Sequence, residues 1–328
     1  MNTAKALTGK VAVVAGATRG AGRGIACALG EAGATVYCTG RSTRAALGGR
    51  RPDKAAPFAL AQRRETIEET AELVTSAGGA GLALQVDHTV PAQVQALFER
   101  VKAEQGRLDI LVNDIWGGDE LTEFGTPFWE LSLEKGLLVL QRAVHSHLIT
   151  SRLGVPLMLN GTAGLIVEIT DGDFFGYRGN LFYDLVKTSV IRLAFAMARE
   201  LRRRQIAAVA VTPGFLRSEA MLDRFGVTAD NWQEGAKQDA DFLASETPLF
   251  VGRAVARLAA DAQIMRKTGR VFSSWELAEE YGFTDRDGSR PNWGRYFVEK
   301  YGRYRKCDEA FYEYWWQGPG ELVFPDWP

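Results

Sequence analysis

Short, nearly unbroken apolar runs alternate along this chain with longer stretches in which apolar positions return every three or four residues. Val11–Ala15 is the first run, and a helical pattern from about Gly20 to Ala32 follows it. The alternation continues through Thr35–Cys38, a helix at Thr66–Ser76, the run Leu82–Val86, a helix at Pro91–Glu104 and the run Asp109–Val112. A long helical pattern over Phe128–Thr150 precedes Leu165–Ile169, and a helix over Leu181–Arg203 precedes Ala207–Val211. Pro248–Ala260 is the last long helix and Arg270–Ser273 the last run. The runs are β-branched and continuous rather than alternating, as strands covered on both faces should be. Strands that alternate with helices build right-handed βαβ units and a parallel sheet. The predicted fold class is therefore α/β, a doubly wound Rossmann-type parallel sheet in one domain over residues 1–285.

Three segments fall outside this rhythm. Thr43–Arg64 is a basic insertion after the second strand. Phe215–Thr247 mixes apolar and acidic residues and is expected to form a substrate lid. Residues 286–328 are an aromatic-rich extension. Each Trp or Tyr buries a large apolar area, so this extension is expected to pack on the domain or on a neighbouring subunit, or to wall the substrate pocket.

Composition narrows the class of partner. With 46% hydrophobic and 24% charged residues the chain supports a sizeable core. A net charge of −1 gives no global pull toward nucleic acid or an anionic membrane. No run reaches the roughly 18 apolar residues of a membrane span, and the first residues lack the layout of a signal peptide. Cys27, Cys38 and Cys307 have no paired or CxxC spacing, so a reducing, cytoplasmic setting without disulfides is expected. The three His residues form no ligand pattern, and no metal site is expected.

Candidate chemistry begins between the first strand and first helix, where "GATRGAGRG" places Gly16, Gly20 and Gly22, with Thr18 and Arg19 inside the turn. Glycines there allow a tight turn and close backbone approach to a pyrophosphate at the helix N-terminus. No acid stands between Ala34 and Thr43 to bond a ribose 2′-hydroxyl; Arg41 stands there instead. Two guanidinium groups, Arg19 and Arg41, suit a 2′-phosphate, which favours NADP over NAD. Arg44, Arg50 and Arg51 could extend the basic patch or stand in solvent.

Taken in order, GxxxGxG, "VDH", "LVNDIWGG", "YDLVK" and "TPGFLRS" resemble the short-chain dehydrogenase/reductase family over roughly Gly9 to Phe283. Within it, "GRGIA", "GATVYCTGRS" and "LAEEYGFTDRDGSRP" are most similar to a single branch. The resemblance implies that Asp87 holds the adenine amino group and that Asn113 supports the strand edge beside the cofactor. It implies that Pro213, Gly214 and Ser218 bind the nicotinamide carboxamide. It also implies a homodimer or homotetramer built partly on the long helix carrying His145 and His147. The substrate class it implies is a small carbonyl or alcohol.

Tyr183 and Lys187 are four residues apart and share a helix face. A phenol with an ordinary pKa near 10 is a poor acid–base group at neutral pH, and a nearby ammonium stabilises its phenolate. In the family this Lys also grips the nicotinamide ribose, so Tyr183 is the candidate general acid/base and Lys187 its activator. Two positions depart from the family pattern. Where a Ser usually polarises the carbonyl, the chain reads Thr170-Asp171; where a supporting Asn is usual, near "SLEKG", it reads Leu133-Glu134. Thr170 offers a hydroxyl, whereas Asp171 donates only if protonated. Three readings follow. Thr170 replaces the Ser and ordinary carbonyl chemistry continues; Asp171, Asp173 and Glu134 select a cationic, imine-type substrate; or the chain binds NADPH with little turnover, as a regulator or scaffold. Trp116, Phe174, Phe175, Tyr177, Phe215 and Trp232 are candidates for shaping the pocket.

Overall fold

A computed structural model describes residues 6–47, 58–59, 63–173 and 176–302. In chain order its elements are β1 (Val11–Ala15), α1 (Gly20–Glu31), β2 (Thr35–Gly40), α2 (Arg44–Leu47), α3 (Ile67–Ser76), β3 (Ala80–Gln85) and α4 (Pro91–Gln105). There follow β4 (Ile110–Asn113), α5 (Leu133–Leu140), α6 (Ser146–Met158), β5 (Gly164–Ile169), α7 (Leu181–Leu201) and β6 (Ile206–Thr212). The last are α8 (Glu219–Phe225), α9 (Pro248–Ala260), β7 (Val271–Ser273), α10 (Ser274–Tyr281) and α11 (Trp293–Tyr301).

All seven strands are parallel, in the order β3-β2-β1-β4-β5-β6-β7. The chain winds outward from β1 to β3, then returns to β1's other side with β4. A crevice opens where the winding reverses, at the C-terminal ends of β1 and β4. Register brings the ends of three strands level there, since Ala15 pairs with both Thr39 and Asn113.

Alternate residues of β1 feed opposite faces of the sheet. Ala12 and Val14 pack with α1 and α9, whereas Val11 and Val13 pack with α4 and α6. Burying a Val fully contributes roughly 1.5–3 kcal/mol, so these continuous apolar runs account for the two-sided core. The predicted α/β class and doubly wound sheet are the fold observed.

The helix expected over Phe128–Thr150 differs. Phe128 and Trp129 mimic helical periodicity but lie in a turn, 58% and 72% exposed. The helix starts at α5, where the Ser132 hydroxyl accepts the Lys135 N–H at 3.3 Å. A π turn at Gln141–His145 then interrupts it, and α6 runs past Pro156 to Met158. In the expected lid segment, α8 is followed by two 3₁₀ turns, Trp232–Lys237 and Ala240–Ala244. Arg50, Arg51, Phe174, Phe175, Cys307 and the extension after Gly302 lie outside the described residues.

Candidate active site

Gly16 leaves β1 with φ +93°, and a Cβ on it would come within 2.3 Å of the Asp114 carbonyl oxygen. No other residue fits that turn. A Cβ on Gly22 would sit 2.3 Å from the Gly16 oxygen, so the turn lies tight on the first helix. The N-terminus of α1 therefore faces the cavity, an arrangement suited to an anionic group such as a phosphate. Glu219 already uses it: its Oε2 accepts the Gly20 N–H at 2.8 Å, and its Oε1 lies 3.6 Å from Arg23. Beneath the turn, burial pushes the Asp114 carboxyl up to about 7, although Lys187 and the Gly22 N–H both pull it down.

Thr18, Arg19, Arg41, Ser42 and Asp87, the residues that the sequence associates with an adenosine, line one end of a cavity of about 660 Å³. Arg19 donates from Nε to Glu65 at 3.2 Å and from Nη2 to Ser42 Oγ at 3.3 Å. Glu65 is shared with Arg63, whose side chain is buried and also donates to Asp223 on α8 at 2.6 Å. Arg41 stands 3.8 Å from Asp87, whose carboxylate is held in the Thr89 turn. Arg44 pairs with Glu72 on the outside, away from this cluster.

Tyr183, Lys187, Thr170 and Asp171, the candidate catalytic residues, lie at the other end of the same cavity. Asn180 caps α7, its side-chain oxygen accepting the Tyr183 N–H at 3.0 Å. Its amide donates to the Glu123 carbonyl at 2.9 Å, so cap and neighbouring loop fix one another. Tyr183 thus sits in the first helical turn and Lys187 one turn further in. The Tyr183 hydroxyl donates to Asp171 Oδ2 at 2.6 Å. Thr170 is buried, and its hydroxyl donates to the Lys187 carbonyl at 2.8 Å. Arg178 braces the intervening loop, reaching the Asp171 carbonyl at 2.5 Å and Asp184 at 2.9 Å.

Electrostatics at this end run against the simple expectation that Lys187 lowers the Tyr183 pKa. Burial, then the Asp171 carboxylate, holds the phenol well above 10. The Lys187 ammonium lies 4.5 Å from the Trp116 ring centre and 5.4 Å from that of Tyr183. Burial lowers its own pKa, and Asp171, Asp114 and Asp119 oppose that. Trp116 and Phe124 pack edge-on against Tyr183 from two sides, each 5.4 Å away.

Behind the wall, Asn113 is fully buried and donates to Ser151 at 2.9 Å and Glu168 at 2.7 Å. Glu168 meets His147 Nδ1 at 2.5 Å, and His147 Nε2 lies 3.0 Å from the Ile115 carbonyl. A carbonyl only accepts, so Nε2 carries a proton. His147 thereby anchors the strand end that carries Ile115 and Trp116, while His145 is exposed on the outside.

Of the residues singled out by sequence, Gly16, Thr18, Arg19, Gly20, Arg41, Asp87, Thr170, Asp171, Tyr183, Lys187, Pro213, Gly214 and Ser218 border the cavity. Gly22 and Asn113 support it from outside. Trp116 and Phe215 also border it, joined by Trp293 from the extension. Trp232 instead stacks on Arg217 at 3.6 Å, and Tyr177 is exposed. The suggested acidic trio does not assemble, since Glu134 and Leu133 face outward on α5 and Asp173 is buried. Asp119 accompanies Asp171 instead. Sequence reading missed Asn180, Arg178, Glu65 and Glu219. Asn180 carried a usable signal, a capping residue three before Tyr183; the other three did not. Among the described residues no group of three or more His, Cys, Asp or Glu could hold a metal ion, and no helix is long and apolar enough to cross a membrane.

A glycine turn at a switch-point crevice, with a Tyr–Lys helix facing it, defines an oxidoreductase of the dinucleotide-binding class. Comparison with known proteins agrees. A family described as enoyl-(acyl carrier protein) reductase matches residues 52–271. Dehydrogenase/reductase SDR family member 1 of Mus musculus is 34% identical over 287 residues, covering 86% of this chain and 85% of that protein. The Homo sapiens protein of the same name is 33% identical over 286 residues, with the same coverage of 86% and 85%. This is the branch to which the three segments noted above point. The structure of L-sorbose reductase from Gluconobacter frateurii, complexed with NADPH and L-sorbose, has the same fold at a TM-score of 0.65 and 19% identity, covering 83% of this chain and 97% of that one. The chain belongs to the short-chain dehydrogenase/reductase family.

Proposed function

We propose that the protein is an NADP(H)-dependent oxidoreductase acting on a carbonyl/alcohol pair, with Tyr183 as general acid/base and Lys187 as its electrostatic partner. The observation that carries this reading is a single cavity with Arg19, Arg41 and the glycine turn at one end and Tyr183, Lys187 and Asp171 at the other. The residues present fit such a cofactor. Gly16 and Gly22 leave a cradle that side chains would fill, and no acid follows β2 where an NAD-type ribose contact would be expected. Arg19, Ser42 and Arg41 would hold the 2′-phosphate, Asp87 the adenine, and Pro213, Gly214 and Ser218 the nicotinamide carboxamide.

When bound, NADPH supplies the hydride. Tyr183 donates its phenolic proton to the substrate oxygen, and Lys187 stabilises the negative charge left on the phenol. Burial and Asp171 keep that phenol protonated, so Tyr183 holds the proton that a reduction consumes. Thr170 gives its hydroxyl proton to a backbone carbonyl, which favours Asp171 as the residue beside Tyr183 that meets the substrate. A carboxylate in that place also supports a second reading, reduction of a cationic imine. Exposed Leu133 and Leu137 on α5 and Leu185 on the adjacent α7 support a homodimer or homotetramer.

The test is NADPH oxidation over aldehydes, ketones, quinones and imines, with Tyr183→Phe beside wild type. General acid catalysis contributes about 10²–10⁴-fold, so Tyr183→Phe should lose at least about 100-fold in kcat while NADPH affinity holds. Turnover that survives intact in Tyr183→Phe refutes the mechanism. Tight NADPH binding without turnover on any substrate points to a regulatory protein instead.

A further inference from the structure

Glu246 belongs to none of the motifs, yet it occupies a buried position directly behind the turn assigned above to the nicotinamide. It is 1% exposed. Its Oε2 accepts the Gly214 N–H at 2.9 Å and the Ser274 hydroxyl at 2.5 Å. Its backbone is stitched to the same loop as well, with Glu246 N–H to the Phe215 carbonyl at 2.8 Å and Arg217 N–H to the Glu246 carbonyl at 2.7 Å. Gly214 borders the cavity, and Glu246 stands on its far side. A Cβ at Gly214 would come within 3.1 Å of Glu246 Oε2 and 2.7 Å of Trp293 Cβ, so side chain, turn and cavity wall are in direct contact.

The charges around this position do not balance if every acid is ionised. Three carboxylates, Asp285, Asp287 and Glu246, act on one guanidinium, Arg217. Arg217 lies 3.6 Å from Asp285. Asp285 also accepts N–H groups of Thr247 at 2.8 Å and Arg286 at 2.7 Å, together with the Thr247 hydroxyl. Both Asp285 oxygens thus have donors. Glu246 Oε1, in contrast, has no hydrogen-bond partner among the described residues. A buried, uncompensated carboxylate is costly, and a neutral acid of the same shape is far less so.

We propose that Glu246 is a positioning residue of the nicotinamide half of the site, holding the Gly214 amide and with it the Pro213–Ser218 turn from behind as a neutral carboxylic acid. The role rests on the cofactor reading given above. Burial pushes the Glu246 carboxyl up to about 8, while Ser274, the Gly214 N–H and Arg217 pull it down and Asp285 raises it further. The acid is therefore protonated at neutral pH, and above about 8 it becomes a further anion beside Asp285.

The experiment measures direct binding of NADPH and of adenosine 2′,5′-bisphosphate, which lacks the nicotinamide, from pH 6 to 10. Wild type, Glu246→Gln and Glu246→Ala are compared. An unpaired buried donor costs about 1–3 kcal/mol, so Glu246→Ala should weaken NADPH about tenfold or more and leave the bisphosphate within about twofold. Glu246→Gln, which keeps the acceptor and cannot ionise, should match wild type at pH 7. It should also stay flat above pH 8, where wild type weakens. Equal loss of both ligands in Glu246→Ala, or identical pH profiles for wild type and Glu246→Gln, overturns the proposal. Amide hydrogen exchange of the ligand-free proteins separates it from the cofactor reading. Exchange at the amides of residues 214–218 should quicken in Glu246→Ala and recover in Glu246→Gln even if neither ligand binds; unchanged exchange in Glu246→Ala overturns the proposal by itself.

Discussion

The two ends of the cavity are built on different principles. The end proposed for the adenosine is built around a backbone turn: Gly16 and Gly22, which no side chain can replace, a helix N-terminus, and arginines held by acids such as Glu65. The catalytic end is made of side chains, in which Tyr183, Asp171, Lys187 and Trp116 determine one another's geometry and charge. Backbone cradles tolerate few changes and bind one kind of group. At the catalytic end Asp171 accepts the Tyr183 hydroxyl while the Thr170 hydroxyl donates inward to the Lys187 carbonyl.

That contrast is sharpest at Asp171. Asp171→Asn should lower kcat about 10–100-fold, within the range of acid–base effects, with little change in NADPH affinity. The sign of its pH effect follows from the structure. Asp171 raises the Tyr183 pKa, so removing its charge brings the alkaline loss of activity down toward pH 10, where a kcat/KM profile detects it. Thr170→Val is the control: kcat should stay within about threefold, while stability falls by about 1 kcal/mol for the lost buried hydrogen bond. The reverse ranking in kcat would return the substrate contact to Thr170.

At the adenosine end, Arg19→Ala should raise the NADPH Kd about tenfold, as expected for a charge-assisted contact of roughly 1.5 kcal/mol, and leave NADH unchanged. Equal losses for the two cofactors would remove the 2′-phosphate from Arg19. The smallest effect should be a gain. Glu219 occupies the α1 N-terminus as a carboxylate, and such charge–helix contacts are worth about 0.3–1 kcal/mol. Glu219→Gln should therefore tighten NADPH about two- to fivefold by calorimetry; weaker binding would make Glu219 part of the cofactor site.

Most of the scaffold was legible in sequence because the central strands, such as Val11–Ala15 and Ile206–Thr212, are nearly continuous buried apolar runs. Asn180, three residues before Tyr183, belongs to the same local grammar. Phe128 and Trp129 misled because helical periodicity does not distinguish a buried face from an exposed turn. The contacts that tune the site were not legible. Glu65, Glu219 and Glu246 act across sequence separations that only folding closes, such as the 199 positions separating Gly20 from Glu219. Nor could the order of Thr170 and Asp171 reveal that one hydroxyl would turn inward to the Lys187 carbonyl while the neighbouring carboxylate turned toward the phenol.

The Asn180 cap places the two members of the Tyr–Lys pair in different tiers of local stability. Helix ends fray before helix interiors, and Tyr183 lies in the first turn of α7 whereas Lys187 lies one turn deeper. A brief opening of that turn, held shut by one side-chain oxygen and the Glu123 carbonyl, would carry off the proton donor and leave the ammonium in place.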